Sequence, residues 1–292
     1  MRSDYFHMEP FALAMVAAWG QWCRGVGKKI SVENLGDNAN YVSRMKLFDH
    51  LGVEFQTKLV EHEEAGRFLP ITHLSDRAEI AGIIGSISAL LHLDDDPESL
   101  AAVQYSVSEL LRNVLEHSGS EGGAFVCAHR YTKKPPHRVS IGVADCGQGI
   151  AQHLGRAHPN VLNDHKEAIA LALRPGITGA VPGQYGTADN AGAGLFITRC
   201  ISRGTGGYFF ICSGNAGIRQ RRALSDEAML LLYTDVREDR RVDFYEFPSP
   251  WIGTVVAMEI CTDRIAEYEG FFQWIFQQIP GRTSRRRRIK FT

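Results

Sequence analysis

The pattern of apolar and polar positions along the chain predicts both helices and strands. Apolar residues at helical spacing predict helices over 11–23, 40–51, 77–93, 97–118 and 166–173. Period-two runs predict strands over 29–32, 123–130, 138–144 and 253–260, and a hairpin formed by 207–213 and 217–222. The stretch 55–75 shows no long periodic run, and we interpret it as a connector. The polar stretch 223–250 is interpreted as irregular surface.

The longest predicted helix has clear ends, because Pro97 suits a first helical position and Gly119 suits the position just past a C-terminus. Within it, Glu109, Asn113 and His117 recur at intervals of four and therefore share one stripe. Apolar faces around this stripe come from Leu110, Leu111, Val114 and Leu115. A polar stripe on such a helix indicates either the wall of a pocket or a solvated face, and the helix alone does not decide between them.

Two glycine-rich segments follow this helix in the chain. In the first, Asp145 ends a predicted strand and precedes Gly147 and Gly149, so backbone can approach a planar ligand while the carboxylate accepts a hydrogen bond. In the second, Gly192 and Gly194 precede a predicted helix that runs to about residue 202. Backbone N–H groups at a helix N-terminus favour phosphate. Each segment alone is a weak signal, whereas the ordered set is more specific.

This ordered set resembles the ATP-binding domains of the GHKL superfamily, the group of gyrase, MutL, histidine kinases and heat-shock chaperones. The resemblance covers about residues 70–262. Its three boxes fall at Glu109–Asn113, Asp145–Gly149 and Gly192–Leu195, and the strand 253–260 resembles the closing strand of that fold. The Gly-Leu-Phe-Ile ending of the third box is closer to bacterial anti-sigma serine kinases than to sensor histidine kinases.

The resemblance implies an α/β fold, a two-layer sandwich with a mixed, mostly antiparallel sheet and helices on one face, known as the Bergerat-type ATP-binding fold. It also implies ATP and Mg²⁺ as cofactors. Asp145 would read the adenine amino group, Asn113 would bind Mg²⁺, and Glu109 would act as general base. His117 would lie near the phosphates, with a helix-end histidine in solvent as the alternative.

The remaining implied contacts involve backbone and small groups. Gly147 and Gly149 would permit close approach to the base, and Thr254 would lie near the adenine. Gly192 and Gly194 would form the hinge of a lid over residues 150–192 and offer N–H groups to phosphate, and Leu195, which ends the box, would also belong to the nucleotide site. The many glycines and prolines of that segment are typical of a mobile cover.

We divide the chain into a segment over 1–60, a connector over 61–76, the ATP-binding domain over 77–262, and a C-terminal helix with a basic tail over 263–292. The first segment resembles part of a STAS-like domain, but Glu9-Pro-Phe-Ala-Leu13 offers no hydroxyl where the phospho-acceptor would stand. Its helices carry apolar stripes that must pack on the ATP-binding domain or on another chain. A docking segment and a plain packing layer both remain open, as does the role of the tail, which could contact anions or keep the chain in solution.

Composition narrows the classes of function further. A formal net charge of -1 indicates no global field for nucleic acid, and no run reaches the roughly 18 apolar residues of a membrane helix. The six cysteines lack C-x-x-C spacing, so we expect free thiols in the cytoplasm.

Two classes of function are therefore expected. One is an ATPase or a serine kinase-like enzyme that regulates a protein partner. The other is an ATP-dependent binding module with negligible turnover. Glu109 favours the first class, because a pure binder needs no base there. The missing hydroxyl in the first segment favours the second class, at least with respect to self-phosphorylation. A protein partner or a homo-oligomer would form through residues 1–60.

Overall fold

The computed structural model describes residues 8–33, 39–55, 66–93, 97–177, 193–222 and 233–267. The helices are α1 Pro10–Gly25, α2 Ala39–Arg44, α3 Leu47–Leu51, α4 Ile80–Leu91, α5 Pro97–His117, α6 Gly149–Gly155, α7 His165–Ala172 and α8 Gly194–Gly204. The strands are β1 Phe68–Leu74, β2 Ala124–Tyr131, β3 Arg138–Asp145, β4 Phe209–Gln220 and β5 Val242–Cys261. The predicted C-terminal helix lies outside the described residues.

In the described part of the chain, five strands form one sheet in the order β1-β2-β3-β5-β4, and all neighbouring pairs are antiparallel. The expectation of a mixed sheet is therefore refined to an antiparallel one among these strands. β3 lies at the centre, with β2 on one side and β5 on the other. Asp145 ends β3 opposite Ala124 of β2, so the first glycine box leaves the sheet at its middle.

Helices cover both faces of the sheet, which corrects the expected two-layer sandwich with helices on one face. On one face α4 to α8 pack on alternate strand residues, for example Val126, Ile141 and Met258. On the other face α1 to α3 pack on the intervening residues, for example Phe125 and Cys127. Because successive strand residues point to opposite faces, the near-continuous burial of β2 and β3 requires a cover on each side.

The N-terminal residues form this second cover. Leu13, Ala14 and Ala17 of α1 are fully buried against the sheet. The described residues of 8–33 and 39–55 contain helices and no strand, so the strand expected over 29–32 is wrong. Of the two arrangements left open, packing on the same chain is the one found. The domain boundaries, including the one at residue 60, stay a prediction.

The sheet has an edge strand that the sequence pattern did not predict. Residues 68–74, expected to belong to a connector, form β1 and pair with β2. Pro70 interrupts the alternation that would have identified the strand. It sits where the pairing register shifts between Leu69 and Thr72, at an irregularity on an edge where a missing N–H is tolerated.

The hairpin predicted over 207–213 and 217–222 is also wrong. These residues form one strand, β4, which pairs along its length with β5. Gly214, at φ 62°, lies where the register shifts, so the glycine-rich stretch forms a bulge rather than a turn. β5 also extends back to Val242, into the stretch interpreted as irregular, and 223–232 lies outside the described residues.

Candidate functional site

A cavity opens where α5, the end of β3, α6 and the start of α8 meet. Its apolar wall comes from both strands and helices and includes Val143, Ile150, Leu154, Leu195 and Val256. Its polar lining comprises Glu109, Arg112, Asn113, Glu116, His117, Ser118, Asp145, His153 and Thr254, with Gly149 and Gly194 at its margins. Eight of the ten residues predicted from sequence therefore line one cavity. The polar stripe of α5 is a pocket wall and not a solvated face.

Asp145 is a buried carboxylate in this lining, with 1% of its surface exposed. Burial raises its pKa to about 7, although N–H groups of Gly147 and Thr254 donate to it and oppose that rise. Gly147 donates to Oδ1 at 2.7 Å. Among the described residues, only backbone N–H groups donate to this carboxylate.

The rest of the first glycine box is tied to the end of α5. The Gln148 N–H donates to the Ser118 carbonyl at 2.6 Å, and the Gln148 side-chain amide donates to the His117 carbonyl. Gly147 itself borders a neighbouring cleft and does not line the main cavity. These bonds fix the end of β3 beside the C-terminal turn of α5.

The second glycine box meets the other part of the α5 stripe. A Cβ placed on Gly194 would lie 2.8 Å from Glu109 Cβ and 3.4 Å from Asn113 Nδ2, so only glycine allows this approach. Ser106 and Thr198 bridge α5 and α8 through their hydroxyls at 2.8 Å. The N-terminus of α8 therefore lies beside the residues predicted to act as general base and to bind Mg²⁺. Gly192 lies outside the described residues.

Glu109, the predicted base, belongs to a charged row on α5. Arg112 Nη1 lies 3.6 Å from Glu109 Oε1, and Arg112 Nε lies 3.3 Å from Glu116 Oε1. Glu116 also contacts Arg77 at 3.0 Å. An arginine therefore lies between the two carboxylates at the rim of the cavity.

His117 stacks on a second histidine. The rings of His117 and His153 lie 4.4 Å apart between centroids, at 24° to each other. Burial lowers the pKa of both, and the neighbouring His117 lowers that of His153 further, to about 4. Both rings are half-buried, so His117 is not a helix-end histidine in free solvent.

Thr254 lines the cavity next to the carboxylate that its backbone N–H contacts. Behind it, Ser213 Oγ donates to the Gly253 carbonyl at 2.8 Å and accepts from the Ile150 N–H at 2.9 Å. The indole N–H of Trp251 donates to the Asp145 carbonyl at 3.2 Å. Residues 251–254 of β5 therefore fix the position of Asp145 at the start of the first glycine box.

The residues present fit a magnesium ion that is bound mainly through a ligand. Mg²⁺ usually takes one or two protein oxygens and keeps waters or phosphate oxygens, and Asn113 supplies one such oxygen in the cavity. Among the described residues, no group of three or more His, Cys, Asp or Glu could hold a metal ion by itself.

Arg112 and His153 of the cavity, and Trp251 behind Asp145, are among the residues that the sequence reasoning missed. Arg112 stands three positions after Glu109, a spacing that would have identified the ion pair. His153 and Trp251 come from segments that meet α5 and Asp145 only in the folded chain. No spacing rule within either segment indicates these contacts.

No protein-family model, curated protein or solved structure matches this chain. In the described part of the chain, no helix combines the length and apolar composition needed to cross a bilayer.

Proposed function

We propose that this chain binds Mg–ATP in the cavity between α5, α6 and α8. The adenine would sit against the apolar wall with its amino group donating to Asp145. The phosphates would lie at the N-terminus of α8, and Asn113 would contribute an oxygen to Mg²⁺. The resemblance to GHKL domains of the anti-sigma serine kinase type supports the same assignment.

The observation that carries the proposal is the buried Asp145 carboxylate, whose charge is offset, within the described part of the chain, by backbone N–H groups only. Removing a charged group from water without pairing it with a cation costs free energy. A ligand amino group would supply an additional donor, and the apolar wall around Asp145 would favour a planar ring. Three segments distant in sequence supply the parts that such a ligand needs.

Each residue has a chemical task in this proposal. Asp145 selects the base, and Thr254 and Gly147 orient its carboxylate. The N–H groups at the start of α8 favour the negative phosphates, since a helix N-terminus carries partial positive charge. Mg²⁺, when bound, would offset phosphate charge. Glu109, beside Asn113, would remove a proton from water or from a hydroxyl nucleophile.

The test compares two bases at pH 8, where Asp145 is ionised. ATP offers an amino donor to the carboxylate, whereas GTP presents a carbonyl acceptor at the same position. Wild type should bind ATP at least 10-fold more tightly than GTP in calorimetry, because a mispaired buried polar group costs about 1–3 kcal/mol. Asp145→Asn should weaken ATP binding. It should also reduce or reverse the preference for ATP over GTP, because the Asn amide can donate to the guanine carbonyl.

Asp243→Asn is the matched control, since Asp243 pairs with Arg219 on an exposed part of β5. It should leave both affinities unchanged. Wild-type protein that is folded and binds neither nucleotide would refute the proposal, and equal ATP affinity in wild type and Asp145→Asn would remove Asp145 from the site.

The contact between Glu109 and Arg112 favours a second candidate, nucleotide binding with negligible turnover. An arginine at 3.6 Å engages the carboxylate that would serve as base. Phosphate release by wild type and Glu109→Gln separates the candidates. An enzyme should lose about 100-fold or more in rate while still binding ATP. Release that is equally slow in both proteins favours the binding module.

In either case we propose that a lid over 150–192 couples ATP to a protein partner. The described part of this segment contains α6 and α7, and 178–192 lies outside the described residues. Limited proteolysis within 178–192 that a non-hydrolysable ATP analogue suppresses would support the lid. Cleavage that the analogue does not change would contradict it.

A further inference from the structure

The His117–His153 stack lies in the cavity between the two places assigned to the ends of the nucleotide. His117 precedes Ser118, and the Ser118 carbonyl accepts a hydrogen bond at 2.6 Å from the N–H of Gln148 in the first glycine box. Asn113, one turn earlier on α5, lies beside Gly194. Residues four apart on a helix are about 6 Å apart, and both histidines line the cavity, so a ligand that joins Asp145 to Gly194 would run along the turn of α5 that ends at His117.

The chemistry of the pair suits a neutral polar group better than an anion. Burial lowers the pKa of both rings, so both are neutral near pH 7 to 8. A neutral imidazole offers one N–H donor and one nitrogen acceptor, which is the complement of a hydroxyl group. Phosphate would instead favour cations, and two imidazolium rings stacked at 4.4 Å would repel each other.

The protein itself makes little use of the second ring. The Nδ1 atom of His153 is buried and has no hydrogen-bond partner among the described residues. Side-chain polar groups in such positions are normally paired. Because Nδ1 is not accessible from the cavity, a ligand would contact the His153 ring through Nε2, the other ring nitrogen, and His153 itself lines the cavity.

We propose that the His117–His153 pair contacts the sugar hydroxyls of the bound nucleotide, so that the site selects ribonucleotides over deoxyribonucleotides. This inference rests on the proposed ATP binding. His153 is then a specificity-determining residue supplied by α6.

The experiment measures the affinities of ATP, 2′-deoxy-ATP and 3′-deoxy-ATP by calorimetry at pH 8. Wild type should bind at least one deoxy analogue about 3–10-fold more weakly than ATP, the loss expected for one or two hydrogen bonds. His153→Phe keeps a stacking ring but removes its polar atoms, and it should bring the three affinities to within about 2-fold. His153→Gln, which restores a donor and an acceptor, should keep part of the preference.

His158→Phe is the matched control, because His158 follows α6 and does not line the cavity. It should retain the wild-type preference. Equal affinities of wild type for all three nucleotides would overturn the inference and leave ATP binding intact. A preference that survives in folded His153→Phe would also overturn it. Should that variant fail to fold, the wild-type comparison and His153→Gln decide the question. Absence of binding by any of the three would instead refute the proposed function together with this inference.

Discussion

Asp145 and Glu259 are buried carboxylates on the neighbouring strands β3 and β5, and each exposes 1% of its surface. Glu259 accepts two hydrogen bonds from Arg222 at 2.6 Å and lies 3.2 Å from Arg138. From the residues that the structure describes, Asp145 accepts hydrogen bonds from backbone N–H groups alone, and burial raises its pKa to about 7. Glu259 pairs with Ser140, five residues before Asp145, so the two carboxylates lie toward opposite ends of β3.

The two sites differ in how the fold treats a buried charge. One charge is paired within the protein, and the other is left accessible to a donor from a ligand. At Glu259 the protein supplies the compensating cations, so the charge can tie β4, β5 and β3 together. At Asp145 it supplies a partial set of donors and an apolar cavity. The cost of that incomplete pairing is offset by the rest of the core, and a suitable donor from a ligand would reduce it.

The largest expected effect concerns the charge at Asp145. Its folded pKa lies above its unfolded value of 3.8, so its contribution to stability is fully present below about pH 4 and is lost as pH rises to about 7. Asp145→Asn does not titrate. The free energy of unfolding of this variant, minus that of wild type, should therefore rise between pH 4 and 8 by roughly 4 kcal/mol at most. Urea unfolding across this range measures the difference. A difference that does not change with pH would contradict a raised pKa for a buried Asp145.

Glu259→Gln should lower the free energy of unfolding, by somewhat less than the change expected for Asp145→Asn. The neutral amide leaves Arg222 and Arg138 without their common anion, and breaking a buried pair typically costs 3–5 kcal/mol. Because 47% of the Arg222 side chain and 34% of the Arg138 side chain are exposed, water recovers part of that cost, and we expect about 2–3 kcal/mol. Urea unfolding at pH 7 tests this. A variant as stable as wild type would show that the arginines contribute no net stabilisation.

Trp251→Phe sharpens the comparison, because Trp251 supports the Asp145 backbone and not its carboxylate. Loss of the indole N–H bond to the Asp145 carbonyl should cost about 1 kcal/mol of unfolding free energy. The stability difference between this variant and its Asp145→Asn double mutant should still change from pH 4 up to about pH 7 and then level off, since Gly147 and Thr254 keep their bonds to the carboxylate. A difference that levels off closer to pH 4 would mean that the indole controls burial of the charge.

The smallest effect is expected for Asp243→Asn. Asp243 contacts Arg219 at 2.9 Å and Arg221 at 3.5 Å, but all three side chains are substantially exposed. Exposed ion pairs contribute about 0–1 kcal/mol, so unfolding of the variant at pH 7 should differ from wild type by less than about 0.5 kcal/mol. A loss as large as that of Glu259→Gln would show that burial is not what distinguishes the two sites.

Local pattern was sufficient for the elements that have strong periodicity and clear ends. The sequence predicts α5 from Pro97 to Gly119, and the helix runs from Pro97 to His117 with Gly119 at φ 60°. It also predicts β2, β3 and α7 to within about two residues. The sequence also predicts that the polar stripe of α5 and the two glycine segments belong to one site.

Pattern failed where a local signal had more than one structural meaning. Glycine and asparagine over 213–217 are compatible with a turn and with a bulge, and pairing with β5 selected the bulge. Pro70 concealed β1, since a proline is tolerated at an edge irregularity that only β2 defines. The cover on the second face of the sheet depends on α1, whose apolar stripe could have packed on this chain or another.

By itself, the sequence determined which residues could do chemistry: the stripe of Glu109, Asn113 and His117, the carboxylate of Asp145, and the glycines that allow close approach. These follow from residue type and spacing along single elements. The tertiary structure decided the environment of those groups. It buried Asp145 with no cation beside it among the described residues, set Arg112 between two carboxylates and stacked His153 on His117. Charge state and stacking depend on distances between segments far apart in the chain, and no local pattern encodes such distances.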